Sequence, residues 1–269
     1  VPNRFVTRLH RETSGTPLFV LETLRVLHEE GHSLADLETS QLPLPASIYH
    51  LVAGRVASLE PEVRSVLEAV AVHSTDVDLP ALLATADGSR QAVLAAVDEA
   101  QRTGLLVGDR DEYGFYHDAV RRVVYSEIPA KQRRLLHIRV AQVLEAQHPE
   151  RCEELAHHYT EGGVSDKAAA ATWEAARRAE RLFGYETAAR HYGTAVGLAG
   201  PAAFSARQRF ELLGEYEATL AVLGRRHEQD EVLGDMAQLA VDRPDRLGEV
   251  ERRRAWLLVS VAMHLGLLL

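Results

Sequence analysis

One short stretch limits what this chain can fold into. Residues 104–125, GLLVGDRDEYGFYHDAVRRVVY, carry two apolar or aromatic runs, Leu105–Val107 and Tyr113–Tyr116, on either side of a polar turn, Asp109–Glu112. That pattern predicts a β-hairpin. Elsewhere the apolar residues recur at helical spacing, so the chain is predicted to be mainly α with one small hairpin.

The helices ahead of the hairpin give it a context. Ile48, Leu51, Val52, Val56 and Leu59 form one apolar face, and Val63, Val66, Leu67 and Val70 form another. A short helix around LPALLATA follows, then Asp87-Gly88-Ser89 as turn and cap, then RQAVLAAVDEAQRTG, closed by Gly104. Helices followed by a two-stranded wing are the winged-helix order, which assigns residues 44–129 to such a domain. Asp118 stands where an N-cap is wanted for AVRRVVYSEI, and Pro129 stops that helix. Further upstream, Thr16 is the expected N-cap and Pro17 the first helical residue of a helix carrying Val20, Leu24 and Leu27, ended by Gly31. Residues 33–46 read as a linker.

Residues 130–269 are helical throughout on pattern. Leu136, Val140, Val143 and Leu144 share a face. LFGYETAARHYGTAVGLAGP then sets small Ala188 and Ala195 around Tyr192, which lets two antiparallel helices approach closely, as tetratricopeptide hairpins do. A weaker echo begins 40 residues later at Leu223-Gly224, with Leu233 and Met236 in place of Tyr192 and Ala195. A hairpin of this kind cannot bury its apolar face alone, so a stacked array is implied.

Composition narrows the function classes. At 269 residues the chain suits two or three units. The formal charge of −9 argues against nonspecific coating of nucleic acid, which requires Lys and Arg to neutralise phosphates, and leaves open a local basic face. A lone cysteine, Cys152, allows no intrachain disulfide and fits a cytoplasmic location. No signal peptide is visible, and the final apolar stretch AWLLVSVAMHLGLLL, 15 residues, is too short for a membrane span, so no membrane partner is expected. The first methionine is Met236, and the chain opens and closes inside apolar helical patterns; we therefore expect a piece of a longer polypeptide.

Candidate chemistry is sparse. The two lysines, Lys131 and Lys167, do not follow a glycine, so there is no P-loop, and the chain is not expected to be an enzyme by itself. Glu154-x-x-His157, with Glu153 and His158 beside it, is a carboxylate–histidine half-site lacking a second such element, which points to packing instead of metal. Cys152 has no base partner in sequence. For DNA, the helix before the hairpin balances Arg90 and Arg102 with Asp98 and Glu99, and Asp109, Asp111 and Glu112 outnumber Arg110 at the wing tip. The basic concentration lies later, at Arg121, Arg122, Lys131, Arg133, Arg134 and Arg139, diluted by Asp118 and Glu127. Arg121, Arg122, Arg133 and Arg134 are the candidates for DNA contact on that alternative reading; the acidic wing itself favours protein contacts.

Taken together the segments resemble the signal-transducing (STAND) ATPases with an AAA-like core, among them the large LuxR-type ATP-binding transcriptional regulators and similar regions attached to bacterial adenylate cyclases. SGTPLFVLETLRVL resembles the lid stretch GNPFF(V/L)EEL(L/V), with Gly15, Pro17, Phe19 and Leu24 matching and Thr16 in place of Asn. GLLVGDRDEYGFYHDAVRRVVYSEIPAKQRRLLH resembles the winged-helix signature at Gly104, Leu105, Leu106, Phe115, His117, Asp118, Arg121, Val124, Tyr125, Pro129, Arg134, Leu136 and His137. ELAHHYTEGGVSDKAAAATWEAA resembles the start of the repeat array. The resemblance implies an ATPase lid remnant and linker in 1–43, the winged helix in 44–129 and truncated repeats in 130–269. It also implies that ATP or ADP with Mg binds an ATPase core outside this chain. His117 would then approach the nucleotide, an inducer or regulatory protein would bind the repeats, and DNA would be contacted through a separate helix-turn-helix domain; no cofactor is implied within the chain itself. An adenylate cyclase domain is the alternative output.

Overall fold

The computed structural model describes residues 6, 7, 9, 10, 17–29, 45–73, 76–108 and 112–264. The structure is mainly helical, with a small three-stranded sheet. It forms two compact units, residues 1–143 and 144–269. The division falls inside one helix, α7 (Ala130–Gln147), not at the 129/130 boundary read from sequence.

In the first unit, α1 (Pro17–Glu29) begins at Pro17, as expected; its proposed cap Thr16, its stop Gly31 and most of 1–43 lie outside the described residues. Helix α2 (Ala46–Ala57) buries Ile48, Val52 and Val56, and α3 (Pro61–Val72) buries Val63, Val66, Leu67 and Val70. Leu51, assigned to the α2 apolar face, is instead exposed. At 100° per residue it lies roughly 100° from the centre of the stripe that Ile48, Val52 and Val56 define, so the i+3 spacing places it on the rim.

The hairpin is present as β2 (Leu106–Gly108) and β3 (Glu112–Phe115), paired antiparallel with Leu106 opposite Phe115; tip residues 109–111 lie outside the described residues. A third strand that the sequence pattern missed, β1 (Val77–Asp78), pairs Val77 with Tyr113, making β3 the central strand. Two residues are too few for alternation to register. Gly114 belongs on this central strand because a Cβ there would collide with the Asp76 carboxylate. Between β1 and the hairpin run α4 (Leu79–Thr85) and α5 (Arg90–Arg102). Asp78 caps α4, accepting from the Ala81 N–H at 2.7 Å, and Ser89 caps α5, accepting from the Ala92 N–H at 3.3 Å. Gly104 takes φ +70° beyond α5, the left-handed turn expected of it.

Helix α6 (Asp118–Glu127) corrects one expectation. Its N-cap is His117, and Asp118 is already helical. The extended backbone of His117 (φ −132°, ψ 134°) supplies the first helical carbonyl, to the Val120 and Arg121 N–H groups. Asp118 acts instead as a first-turn carboxylate near the positive end of the helix dipole.

The second unit stacks α8 (Cys152–Gly162), α9 (Ser165–Arg181), α10 (Tyr185–Leu198), α11 (Ala206–Leu223), α12 (Arg226–Leu239) and α13 (Pro244–His264). Helices α11 and α12 each begin 41 residues after α9 and α10, the tetratricopeptide-like repetition expected from sequence. Ala169, Trp173 and Ala176 meet Ala188, Tyr192 and Ala195 in one core; Phe210, Leu213 and Leu220 meet Leu233, Met236, Val250 and Leu257 in the next. Small alanines let the helix axes close until the Tyr192 ring, fully buried, fills the remaining space.

Polar networks run through both cores. The Glu215 carboxylate of α11 accepts from Trp173 Nε1 at 2.6 Å and from Arg177 Nε and Nη2 at 2.9 and 2.7 Å, both on α9. The Tyr192 hydroxyl of α10 lies 3.0 Å from Glu180 and 3.3 Å from Glu215. One repeat further on, buried Glu217 accepts from Gln229 at 2.5 Å and Arg253 at 2.6 Å. Turns between the helices use left-handed residues: Gly163 at φ 75°, Gly224 at φ 71° and, without the freedom of glycine, Phe183 at φ 61°. That conformation costs a side-chain-bearing residue about 1–2 kcal/mol. Among the described residues no helix is long and apolar enough to cross a membrane.

Two measurements check this account. Ala188→Leu overfills the α9–α10 crossing and should lower the unfolding free energy by about 1–3 kcal/mol in urea titrations; full tolerance would mean the crossing is loose. Burial by itself would raise the Glu215 carboxyl, but donation from Arg177 and Trp173 outweighs it and holds the group below the ordinary carboxylate value. A depressed folded-state value stabilises the protein above the unfolded value, about 4.3 for glutamate, and this stabilisation is lost as the pH falls through the folded one. The stability gap between the native chain and Glu215→Gln should therefore be widest near neutral pH and narrow steadily in acid.

Candidate functional site

Two places hold the residues with chemical potential, one in each unit. In the first, His117 sits between β3 and α6, its ring half-buried and edge-on to Tyr116 at 4.5 Å. Burial pushes its imidazole pKa down, which favours the neutral ring. Beside it Asp118 pairs with Arg121 Nε at 2.8 Å.

The basic run is less available than its count suggests. Arg121 is held by Asp118, and the Arg133 guanidinium lies 5.1 Å over the Tyr125 ring, whose hydroxyl is 2.9 Å from His137 Nε2. Arg139 pairs with Asp87 at 2.7 Å and donates to the Thr85 carbonyl at 3.1 Å. Arg122 is half-buried, while Lys131 and Arg134 are exposed. Of the four candidates for DNA contact, Arg121 and Arg133 thus already serve intramolecular contacts.

Five of the thirteen signature residues belong to the scaffold of the hairpin region. Leu105, Leu106, Val124, Leu136 and His137 are all buried. The exposed hydrophobic positions on and beside the strands are Val107 and Tyr116.

In the second unit, a cavity of about 520 Å³ opens where α8 begins, α9 ends and α10 begins. Cys152, Ala175, Ala179 and Leu182 supply its apolar surface, and Glu150, Arg151, Glu153 and Arg178 contribute charge. Arg151 is committed to Glu154, at 2.9 and 2.6 Å, and Arg178 donates to the Glu150 backbone carbonyl. Glu153 reaches His191 Nε2 at 3.2 Å. Cys152 is buried, donates to the Pro149 carbonyl at 3.5 Å, and has its thiol pKa raised by burial, which leaves it a poor nucleophile. In the Glu154-x-x-His157 element, Arg151 occupies the Glu154 carboxylate; His158 is buried, His157 exposed, and their rings stand 5.1 Å apart. Nothing in the local sequence pattern marks this cavity. Its walls join the start of α8 to the α9–α10 turn, more than twenty residues later, so no local spacing reveals it.

No family model matches the chain. An uncharacterized protein of Rhizobium meliloti strain 1021 is 30% identical over 137 residues, covering 48% of this chain and 13% of that protein. The crystal structure of a signal transduction ATPase with numerous domains, with a tetratricopeptide repeat sensor, from Pyrococcus horikoshii aligns at a TM-score of 0.43 and 12% identity, over 94% of this chain and 43% of that one. The chain thus spans less than half the length of either protein.

Because Asp118 is a first-turn carboxylate with a half-exposed ion pair and not the cap, Asp118→Ala should cost only about 0.3–1 kcal/mol. Raising the salt concentration should shrink that cost in urea melts; a larger, salt-independent loss would restore the capping role.

Proposed function

We propose that the chain is the regulatory region of an ATP-dependent signal-transducing switch, and that the switch is a transcription regulator of the LuxR type. On this reading residues 44–129 are a winged helix that packs against an ATPase core, and the following repeats sense an inducer or a regulatory protein. ATP or ADP with Mg is held by that core, and DNA is contacted by a separate domain. The whole protein works in the cytoplasm.

One observation carries the proposal. The order α3–β1–α4–α5–β2–β3, with β3 between β1 and β2, leads into hairpins repeating at 41 residues. Residues matching the family signature, Leu105, Leu106, Val124 and Leu136, form the buried scaffold of that first arrangement. A motif built into the core in this way supports shared architecture more strongly than a match among surface residues.

The chain by itself hydrolyses no ATP on this reading, since nothing in it can cradle phosphates as a P-loop does. The pairing of Arg121 and Arg133 within the unit, with the net acidic charge, disfavours DNA binding by this winged helix.

The test is the coding sequence on either side of the chain, followed by nucleotide binding to the full-length product. A P-loop upstream and a helix-turn-helix downstream are expected; a cyclase domain downstream would move the output to second-messenger synthesis, and neither P-loop nor output domain would sink the switch. In the full-length protein His117→Ala should weaken ADP binding by about tenfold, the loss of roughly one hydrogen bond, while leaving the melting temperature unchanged. Unaltered ADP affinity would remove His117 from the nucleotide site.

A further inference from the structure

We propose that the cavity at the meeting of α8, α9 and α10 is a binding site for an uncharged aromatic small molecule. Its regulatory meaning rests on reading the repeats as a sensor; the site itself does not.

The repeat supplies its own control. Helices α9 and α11 begin 41 residues apart, and the left-handed residues that follow them, Phe183 and Gly224, keep that spacing. Residues 41 positions apart therefore occupy matching places in the two hairpins. Four residues that line the cavity, Ala175, Ala179, Gly184 and Thr187, correspond to Tyr216, Leu220, Arg225 and Glu228. Each is the smaller member of its pair. Arg178 is larger than its counterpart Thr219, but it is tied by donation to the Glu150 backbone carbonyl.

In the second hairpin the matching space is filled. Leu220 is fully buried, and the Tyr216 ring stacks on Tyr192 at 6.1 Å and 29°. Arg225 and Glu228 form an ion pair there. Burial raises the Tyr216 hydroxyl first and the Glu228 charge next, which sets the ring beside that pair. In the first hairpin two alanines, a glycine and a threonine leave about 520 Å³, within the range of roughly 300–1,000 Å³ typical of small-molecule sites. The core of Trp173, Ala176, Ala188 and Tyr192 fixes α9 against α10, so the helices do not close on the gap. A space left by a missing phenol ring and isobutyl group suits an aromatic molecule.

Charge decides against an ion. Arg151 holds Glu154 at 2.9 and 2.6 Å, and Glu153 reaches His191 at 3.2 Å. The Glu150 carboxyl is held below the ordinary value by its own backbone N–H, by His148 at 3.3 Å and by the charge of Arg178. Each charged lining group thus has a partner within the chain. An ionic ligand would surrender its hydration without meeting a free counter-charge. The buried part of the lining is Cys152 and Ala175, with Ala179 half-buried beside them. An uncharged ring leaves water against that surface, as small aromatic molecules do on entering apolar cavities.

The experiment titrates the 269-residue chain by calorimetry with p-cresol, the tyrosine side chain as a free molecule, alongside the anion p-toluate and the cation p-methylbenzylammonium. Saturable 1:1 binding of p-cresol is expected, with both ions weaker by about tenfold or more. Occupancy should also slow alkylation of Cys152, the one thiol, by iodoacetamide, with half-protection at the concentration that gives half-binding. The double variant Ala175→Tyr, Ala179→Leu copies the second hairpin into the first. Its melting temperature should hold or rise while its p-cresol affinity falls by about tenfold or more, which separates recognition from folding. No saturable binding, equal binding of either ion, an unprotected Cys152, or full affinity in the folded double variant would each overturn the proposal. Should the double variant fail to fold, thiol protection in the native chain decides. Because the titration uses this chain alone, a negative result removes the cavity site and leaves the switch reading to its own test.

Discussion

The Glu215 carboxylate holds the register of the repeat unit. It accepts from Trp173 and Arg177 of α9 and lies beside the Tyr192 hydroxyl of α10, so one side chain of α11 fixes two earlier helices. Apolar faces made of alanine are smooth, and several sliding positions would bury similar areas. A charged acceptor with directional donors at 2.6–2.9 Å fits only one of them. Glu217, Gln229 and Arg253 repeat the device one hairpin further on. In each case the charge, half-buried at Glu215 and buried at Glu217, is partnered, and its effect is to specify one alignment as much as to stabilise it.

The first unit is organised around a different constraint, the small sheet. Strand β3 must pair on both sides, and its Gly114 leaves room for the Asp76 carboxylate next to β1. Once that strand is seated, Leu105, Leu106 and Tyr113 are buried and α6 follows with Val120, Val123 and Val124 turned to the core. Of the residues by which this region resembles the ATPase family, Leu105, Leu106, Val124, Leu136 and His137 are buried in it. Val107 and Tyr116 remain exposed beside it, and His117 half-buried.

The net acidic charge then acquires local meaning. Around α6 and α7 it is expressed as pairing, with Asp118 and Asp87 holding Arg121 and Arg139 and lowering the basic character read from the sequence. Around the cavity it is divided between arginine and histidine partners, Glu154 paired with Arg151, and Glu150 and Glu153 beside His148 and His191.

Much of the fold was legible in the residues. The hairpin at Leu105–Tyr116, the caps at Ser89 and Gly104, the start at Pro17 and the Ala188–Tyr192–Ala195 crossing all follow from short-range signals: turn chemistry, φ freedom and periodicity. Strand β1 escaped because two residues have no periodicity and become a strand only when β3 is alongside to share hydrogen bonds. Asp118 has the composition of a cap, yet the extended backbone of His117, leaving β3, sets the helix start one residue earlier. The cavity needed three helix ends brought together from residues 150 to 187. The sequence by itself determined which segments are helical and where each turns. Tertiary structure decided which charges are neutralised and where space is left, because both depend on neighbours that only folding brings within a few ångströms.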